Sequence, residues 1–166
     1  MGEYCNHQHD QRENATVLTI SRMNSLSSGV TQIIVDNCVS GPDFTSLDLS
    51  HFCKLKRLEV GDHCFSFVDE VKLVGLKKLK SVVVGENSFT KWKHSCFCDS
   101  NRRFYLKDCP KCKSIVIDCY SFSDYSVCVI ENMDALEGIT LGSSMYDCYN
   151  FYGASLELRS VIAESE

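Results

Sequence analysis

The sequence predicts a β-rich solenoid, a stack of about five to six turns with two short strands or extended segments in each. Three observations support this fold class: a recurring apolar pattern, a second alternating pattern in step with it, and no long amphipathic helical stripe. One such turn cannot bury its apolar face alone, whereas stacked turns share a continuous core.

The first pattern is clearest from Leu79 to Phe89, which reads L-x-x-V-x-V-x-x-N-x-F. We call each copy a frame. The frames start at Val30, Leu55, Leu79, Cys112 and Leu136, which gives intervals of 25, 24, 33 and 24 residues. Aromatic residues close four frames and are expected to stack in a core column: Phe65, Phe89, Phe122 and Tyr146. Glycines follow the first strand, where the chain must turn: Gly61, Gly85 and Gly142.

The second pattern is a short alternating segment followed by one more apolar residue three places on. Its copies are Leu47-Asp48-Leu49 with Phe52, Val71-Lys72-Leu73 with Leu76, Phe104-Tyr105-Leu106 with Cys109, Cys128-Val129-Ile130 with Met133, and Leu156-Glu157-Leu158 with Val161. Alternation of apolar and polar residues indicates strands. Each turn is therefore expected to contain two extended elements.

This phasing resembles the leucine-rich-repeat superfamily, whose L-x-x-L-x-L-x-x-N core is matched best between Leu79 and Phe89. Phrases such as Lys107 to Ile115 are similar to the strand-rich, BspA-like variant. The resemblance covers roughly residues 30 to 161 and implies a right-handed stack of the α/β solenoid class. The ninth frame position is Asn only at Asn87, so the buried asparagine ladder is expected to be mostly absent; the other frames have Cys38, His63, Tyr120 and Ser144.

The chain divides into a polar N-terminal tail or cap, residues 1–16, and a single solenoid, residues 17–166, with an inserted loop at 90–103. The start of the chain has neither a basic segment nor an apolar one of the kind found in signal peptides, and no apolar run is long enough for a membrane span. These features predict a cytoplasmic protein, or an extracellular one if a leader is missing from this chain. A net charge of −5 argues against nucleic-acid binding through a basic surface.

Eleven cysteines invite a metal or thiol interpretation, because Cys96-x-Cys98 and Cys109-x-x-Cys112 resemble paired zinc-binding clusters. The repeat phase instead assigns Cys109, Cys112 and Cys128 to inward apolar positions. A zinc-binding or thiol-active protein is therefore the third hypothesis. No catalytic motif is present, and we predict no enzyme activity, metal or cofactor.

Outward residues of the frame strands are expected to line up across turns. We call one such line the central row; it consists of Ile34, Glu59, Val83, Val116 and Thr140. A neighbouring line, the lysine row, consists of Lys56, Lys80 and Lys113, followed by Glu137. Exposed valines edged by lysines are typical of a docking surface. The alternative is an ordinary sheet face, because β-branched residues favour strands wherever they point.

The inserted loop is the second candidate surface, because insertions in solenoids often carry recognition. It contains Trp92, Arg102 and Arg103, and both residue types are favoured interface anchors. The alternative is that Trp92 folds back over the edge of the core.

These features predict a non-catalytic protein–protein interaction module that presents the central row and the loop to a protein partner. The alternative is a structural protein that assembles with itself, end to end, into oligomers or filaments. That alternative arises because no capping helix follows the strand at Leu156 to Leu158, and uncovered strands pair with other chains.

Overall fold

A computed structural model describes residues 14–17, 19–91, 98–144 and 147–160 of the chain. Within those residues it contains eleven strands and one short helix, and every paired strand runs parallel to its neighbour. The elements are β1 (Asn14–Val17), α1 (Ile20–Asn24), β2 (Gln32–Val35), β3 (Ser46–Asp48), β4 (Arg57–Val60), β5 (Glu70–Val74), β6 (Ser81–Val84), β7 (Asp99–Lys107), β8 (Ser114–Ile117), β9 (Tyr125–Glu131), β10 (Gly138–Leu141) and β11 (Ser155–Arg159).

The strands form two parallel sheets. Sheet A has the order β1-β2-β4-β6-β8-β10, and sheet B has the order β11-β9-β7-β5-β3. From β2 onward, consecutive strands alternate between the two sheets. The frames supply β2, β4, β6, β8 and β10, and the second sequence pattern supplies the strands of sheet B. The prediction of a strand-rich chain is thereby confirmed, and the strands are arranged in two parallel sheets.

Alternation along each strand places one set of side chains in the core between the sheets. In sheet A, Leu58 and Val82 are register partners, 2% and 1% exposed. In sheet B, Phe104 and Cys128 are register partners and are each 1% exposed. Because inward positions coincide in register, neighbouring repeats bury each other's apolar side chains.

Aromatic rings form a column through this core. Their centroids are separated by 5.6 Å from Phe44 to Phe65, 5.2 Å to Phe89, 4.6 Å to Phe122 and 5.0 Å to Phe151. The column is therefore as expected for its first three predicted members. The predicted fourth member, Tyr146, lies outside the described residues, and Phe151 stacks on Phe122 instead.

A buried polar ladder lies one position beyond the frame asparagine. The Cys64 thiol donates to the Asp36 carbonyl oxygen at 3.0 Å, and the Ser88 hydroxyl donates to that of Gly61 at 2.7 Å. Ser121 continues the ladder by donating to Gly85 O, and the half-buried Asn150, six positions beyond the frame residue Ser144, donates to Asp118 O, each at 2.6 Å. Each of these side chains thus satisfies a main-chain carbonyl that follows the preceding strand of sheet A.

The frame asparagine position has a different function. Asn87 has a positive φ of 55°, and its Nδ2 donates to Glu86 Oε1 at 2.7 Å. Cys38, His63 and Tyr120, at the same position, have φ values of 63°, 57° and 64°. Asparagine tolerates this left-handed conformation better than most residues, so the position is one of backbone geometry.

The glycines that follow the sheet A strands are required for two different reasons. Gly142 has a positive φ of 68°, as a turn requires. Gly85 has no positive φ, but a Cβ there would lie 2.8 Å from Gly61 C and 2.9 Å from Asp62 N. Close approach to the preceding repeat therefore explains Gly85.

The structure also refines two predicted boundaries. Strand β1 includes residues assigned to the N-terminal tail, and Ala15 is only 2% exposed. Strand β7 begins at Asp99, so the last five residues of the predicted loop are strand. Arg103 already pairs in register with Glu70 and Val127, and a register shift separates it from Asp99. In the described part of the chain, no helix is long and apolar enough to cross a membrane.

Candidate protein-interaction surface

The central row lies in register across sheet A. The backbone register pairs Ile34 with Glu59, Glu59 with Val83, Val83 with Val116, and Val116 with Thr140. The first four side chains point away from the core, because the residues on either side of them are buried, and the register extends the row to Thr140. Val116 is 38% exposed and Val83 is half-buried. The row therefore presents adjacent apolar side chains on the outer face of sheet A.

Main-chain hydrogen bonds between the residues just before each strand of sheet A align the lysine row. Lys80 N donates to Lys56 O, Lys113 N to Lys80 O, and Glu137 N to Lys113 O, each at 2.8 Å. All four side chains are exposed. A 2.7 Å ion pair joins Lys113 Nζ to Glu137 Oε1, and this bond raises the pKa of Lys113. The row thus places three lysines along one edge of the face.

An acidic row, which the sequence reasoning missed, lies at the opposite edge of the same strands. It contains one carboxylate from each of four successive repeats: Asp36, Asp62, Glu86 and Asp118. Asp62 Oδ1 accepts from Glu86 N at 2.8 Å, which links two members directly. A sequence signal was available, since each acid follows a frame strand within two residues.

The outer face of sheet A is therefore electrostatically polarised. About six residues of extended chain separate Lys80 from Glu86, so the lysine and acidic rows lie roughly 20 Å apart. The central row lies between them, with Val83 and Val116 at its middle. Glu59 is neutralised within the chain, because Arg57 Nη2 lies 2.6 Å from its Oε2. The apolar strip is thus bordered by opposite charges.

Arg102 does not belong to an exposed surface. Its side chain is 0% exposed, and its Nη1 donates to both carboxylate oxygens of Asp124, at 2.7 and 2.6 Å. Its Nη2 donates to the carbonyl oxygens of Ser66 and Val68, at 2.8 and 2.6 Å. The guanidinium is consequently engaged inside the chain and cannot contact a partner in this conformation.

The other two candidates from the inserted loop do not join the central row either. Arg103 is exposed, but it lies on the outer face of sheet B, next to Glu70 and Val127 in the register. Trp92 lies outside the described residues, as do Cys96 and His94. The surface built by the described residues is therefore the sheet A face alone.

Two of the four cysteines that suggested a zinc site are buried in the core, and a third, Cys98, is half-buried. Cys109 and Cys112 are both 0% exposed, as the repeat phase predicted. Burial raises the pKa of each thiol to about 11, and Cys109 Sγ lies 3.2 Å from the Lys107 carbonyl oxygen that accepts its hydrogen bond. Zinc ligation requires thiolates, and burial in an apolar core disfavours them.

Elsewhere in the described ranges, the structure has one disulfide, between Cys119 and Cys148. No three His, Cys, Asp or Glu side chains among those residues are placed so that they could hold a metal ion. One of its two cysteines, Cys119, lines a surface pocket together with Glu86 and Tyr120.

The polarised outer face of sheet A is therefore the candidate functional site. Comparisons with protein-family models, with curated proteins and with solved structures find no match to this chain.

Proposed function

We propose that the chain is a non-catalytic protein–protein interaction module, built as a right-handed solenoid of the leucine-rich-repeat kind. Its binding surface is the outer face of sheet A. The observation that supports this most is the register of Val83 and Val116 between a lysine row and an acidic row. Because successive turns contribute similar residues at each position, the face changes from basic at one edge, through apolar, to acidic at the other edge.

The charges of the face define the chemistry of the partner. An apolar or β-branched strip of the partner would cover Val83 and Val116. Acidic side chains would lie against the lysine row, and basic side chains would lie against the acidic row. Charges at the rim govern association rate and salt dependence, while the buried apolar centre contributes most of the affinity. Trp92 and Arg103 are a separate proposed contact region, carried by the inserted segment and sheet B.

The test is partner capture from a lysate of the source cells by the full chain and by surface variants. Val83→Asp and Val116→Asp each place a charge in the apolar strip, and we expect each to abolish capture. Val74→Asp is the matched control, because Val74 is also a half-buried, outward valine but lies on sheet B, four residues along β5 from the partner of Arg103. Capture that survives both sheet A variants would rule out this face as the binding surface.

The polarity of the face gives a second readout. Lys80→Glu reverses the middle charge of the lysine row, so we expect the association rate of the captured partner to fall and its salt dependence to flatten. Lys72→Glu makes the same charge change on the outer face of sheet B and should leave both quantities unchanged. Circular dichroism of every variant should match the parent chain.

A further inference from the structure

The two ends of the paired sheets differ in how well the core is covered. At the first strand of sheet A, the inward side chains of Ala15 and Val17 are 2% and 0% exposed. At the last strands, inward leucines are open to solvent: Leu141 in β10 is 44% exposed, and Leu156 and Leu158 in β11 are 54% and 59% exposed. Among the described residues, the apolar surface of the paired strands is therefore uncovered at the second end and covered at the first.

These leucines continue the core columns of the preceding repeat. Leu158 is the register partner of Ile130, which is 5% exposed, and Leu141 is the partner of Ile117, which is 1% exposed. Among the described strands, none pairs with the far edge of β10 or β11. The same positions that are buried one repeat earlier thus lack a covering layer at this end.

The free edge of β11 also has a defined backbone polarity. Arg159 O accepts from Asn132 N at 3.0 Å, on the side where β11 meets β9. Alternate residues of a strand bond to alternate neighbours, so the N–H and C=O of Leu158 point toward the free edge. An approaching strand would therefore find its hydrogen-bonding partners at Leu158.

We infer that this end binds a second copy of the chain through a two-fold axis that passes beside Leu158. In that arrangement β11 pairs antiparallel with its copy, and the two Leu158 residues exchange their N–H and C=O bonds. Glu157 then stands opposite the partner's Arg159, and Arg159 opposite the partner's Glu157. Opposite charges directly across an antiparallel pair are stabilising.

Charge selects this register over its neighbour. Moving the axis to Glu157 would place the two Glu157 side chains opposite each other, and like charges in that position are destabilising. Within one chain, Glu157 and Arg159 already form an ion pair, 37% and 59% exposed, so each side chain lies on the outer surface where it can reach the other copy. The strand is thus self-complementary in both its leucines and its charges.

The same rotation, about the normal to the sheets, keeps each sheet aligned with itself. It sets β10 antiparallel to its own copy while β11 pairs with its copy, so the exposed Leu141 side chains are also brought together. The covered first repeats point away from the contact. Isologous contacts of this kind close at two copies, whereas head-to-tail contacts of unlike ends continue into filaments.

The test uses the full chain and two charge reversals, with mass measured by sedimentation equilibrium across a concentration series. Glu157→Arg and Arg159→Glu each put like charges across the interface, so each should raise the dimer dissociation constant at least about tenfold. An equimolar mixture of the two variants should recover the parent affinity, because the charges are again opposite. Val116→Asp is the control, since it lies outside this interface and should dimerise like the parent.

Each result decides the inference. A parent dimer, weakened by each single reversal and restored in the mixture, supports it. A parent chain that stays monomeric at every concentration overturns it, because then something other than a second copy covers the leucines. A mass that keeps growing with concentration also overturns it. So does a dimer dissociation constant that neither charge reversal changes. Because Val83 and Val116 take no part, failure here leaves the sheet A proposal standing.

Discussion

Arg102 and Asp124 form a completely buried ion pair at the base of the inserted segment. Their side chains are 0% and 1% exposed, with 2.6 Å between Arg102 Nη1 and Asp124 Oδ2. Lys91 N, at the start of the segment, donates to the same carboxylate oxygen at 3.1 Å. The Tyr125 hydroxyl completes the cluster by donating to Val68 O at 2.6 Å. Two positions that bracket residues 92–97 are thereby fastened to one carboxylate.

Removing one member of this pair should be strongly destabilising. Asp124→Ala removes the buried carboxylate that binds Arg102 Nη1 and leaves only the partly exposed Asp69, 3.4 Å from Nε, which we expect to cost at most about 3–5 kcal/mol of unfolding free energy. Urea denaturation of the variant and the parent measures this difference. The matched control is Glu59→Ala, which breaks the exposed Arg57–Glu59 pair and should cost less than about 1 kcal/mol. Equal losses in the two variants would contradict a special role for the buried pair.

The polar ladder provides a second prediction. Ser88→Ala removes the hydroxyl that donates to Gly61 O and accepts from Cys64 N, and leaves both buried groups without that partner. The expected loss is about 1–3 kcal/mol of unfolding free energy. Ser81→Ala is the control, because Ser81 lies at an outward position of β6, and it should change stability by no more than about 0.5 kcal/mol. A neutral Ser88→Ala would show that the ladder contributes nothing to stability.

The parts of the fold that the sequence predicts are those with local periodicity. Alternating apolar residues identify strands, because side chains on opposite faces of a strand have different environments. The recurring apolar pattern within each frame then sets the register, which is why Val83 and Val116 could be aligned from the sequence alone although their frames start 33 residues apart. Extra residues between two frames lengthen the interval between them but leave the order of inward and outward positions within each frame unchanged.

The remaining features depend on contacts between residues far apart in sequence. Arginine is a residue type that is common at interfaces, so the sequence favours an exposed Arg102. Its burial depends on Asp124, Ser66 and Val68, and no sequence periodicity links these residues to it. Phe151 lies outside any frame position but reaches Phe122 because the chain returns toward the core there. Residue type and spacing carry no signal for such contacts.

The buried thiols predict a loss of stability at alkaline pH. Burial raises the pKa of Cys112 to about 11 and that of Cys128 to about 12, from an ordinary value of 9.0. Above pH 9 the unfolded chain releases these protons while the folded chain keeps them. The stabilising contribution is therefore complete below pH 9 and is lost as the pH rises toward 11 and 12, by up to about 1.4 kcal/mol per pH unit for each thiol.

Unfolding free energies measured between pH 8 and pH 11 test this dependence. Cys128→Val removes one titrating thiol and retains an apolar side chain, as Val71 does at the same inward position of β5. The slope against pH should be shallower in that variant than in the parent. Cys53→Ser, at an exposed cysteine, should leave the slope as it is. A parent slope that Cys128→Val does not change would contradict the assignment.

Gly85 connects the packing of the repeats to the acidic edge of the proposed binding face. A Cβ at residue 85 would clash with Asp62 Oδ1, which accepts from Glu86 N at 2.8 Å, so Gly85→Ala must disturb the hydrogen bond that links these two members of the acidic row. We expect a loss of about 1–3 kcal/mol of unfolding free energy, as for other substitutions that overpack a tight site. Gly138→Ala is the matched control, because a Cβ there meets no atom within 4 Å. Its effect should range from neutral to a gain of about 1 kcal/mol, since alanine restricts the unfolded chain. Thermal unfolding of both variants tests this close approach, because it predicts a loss of stability at Gly85 that is absent at Gly138.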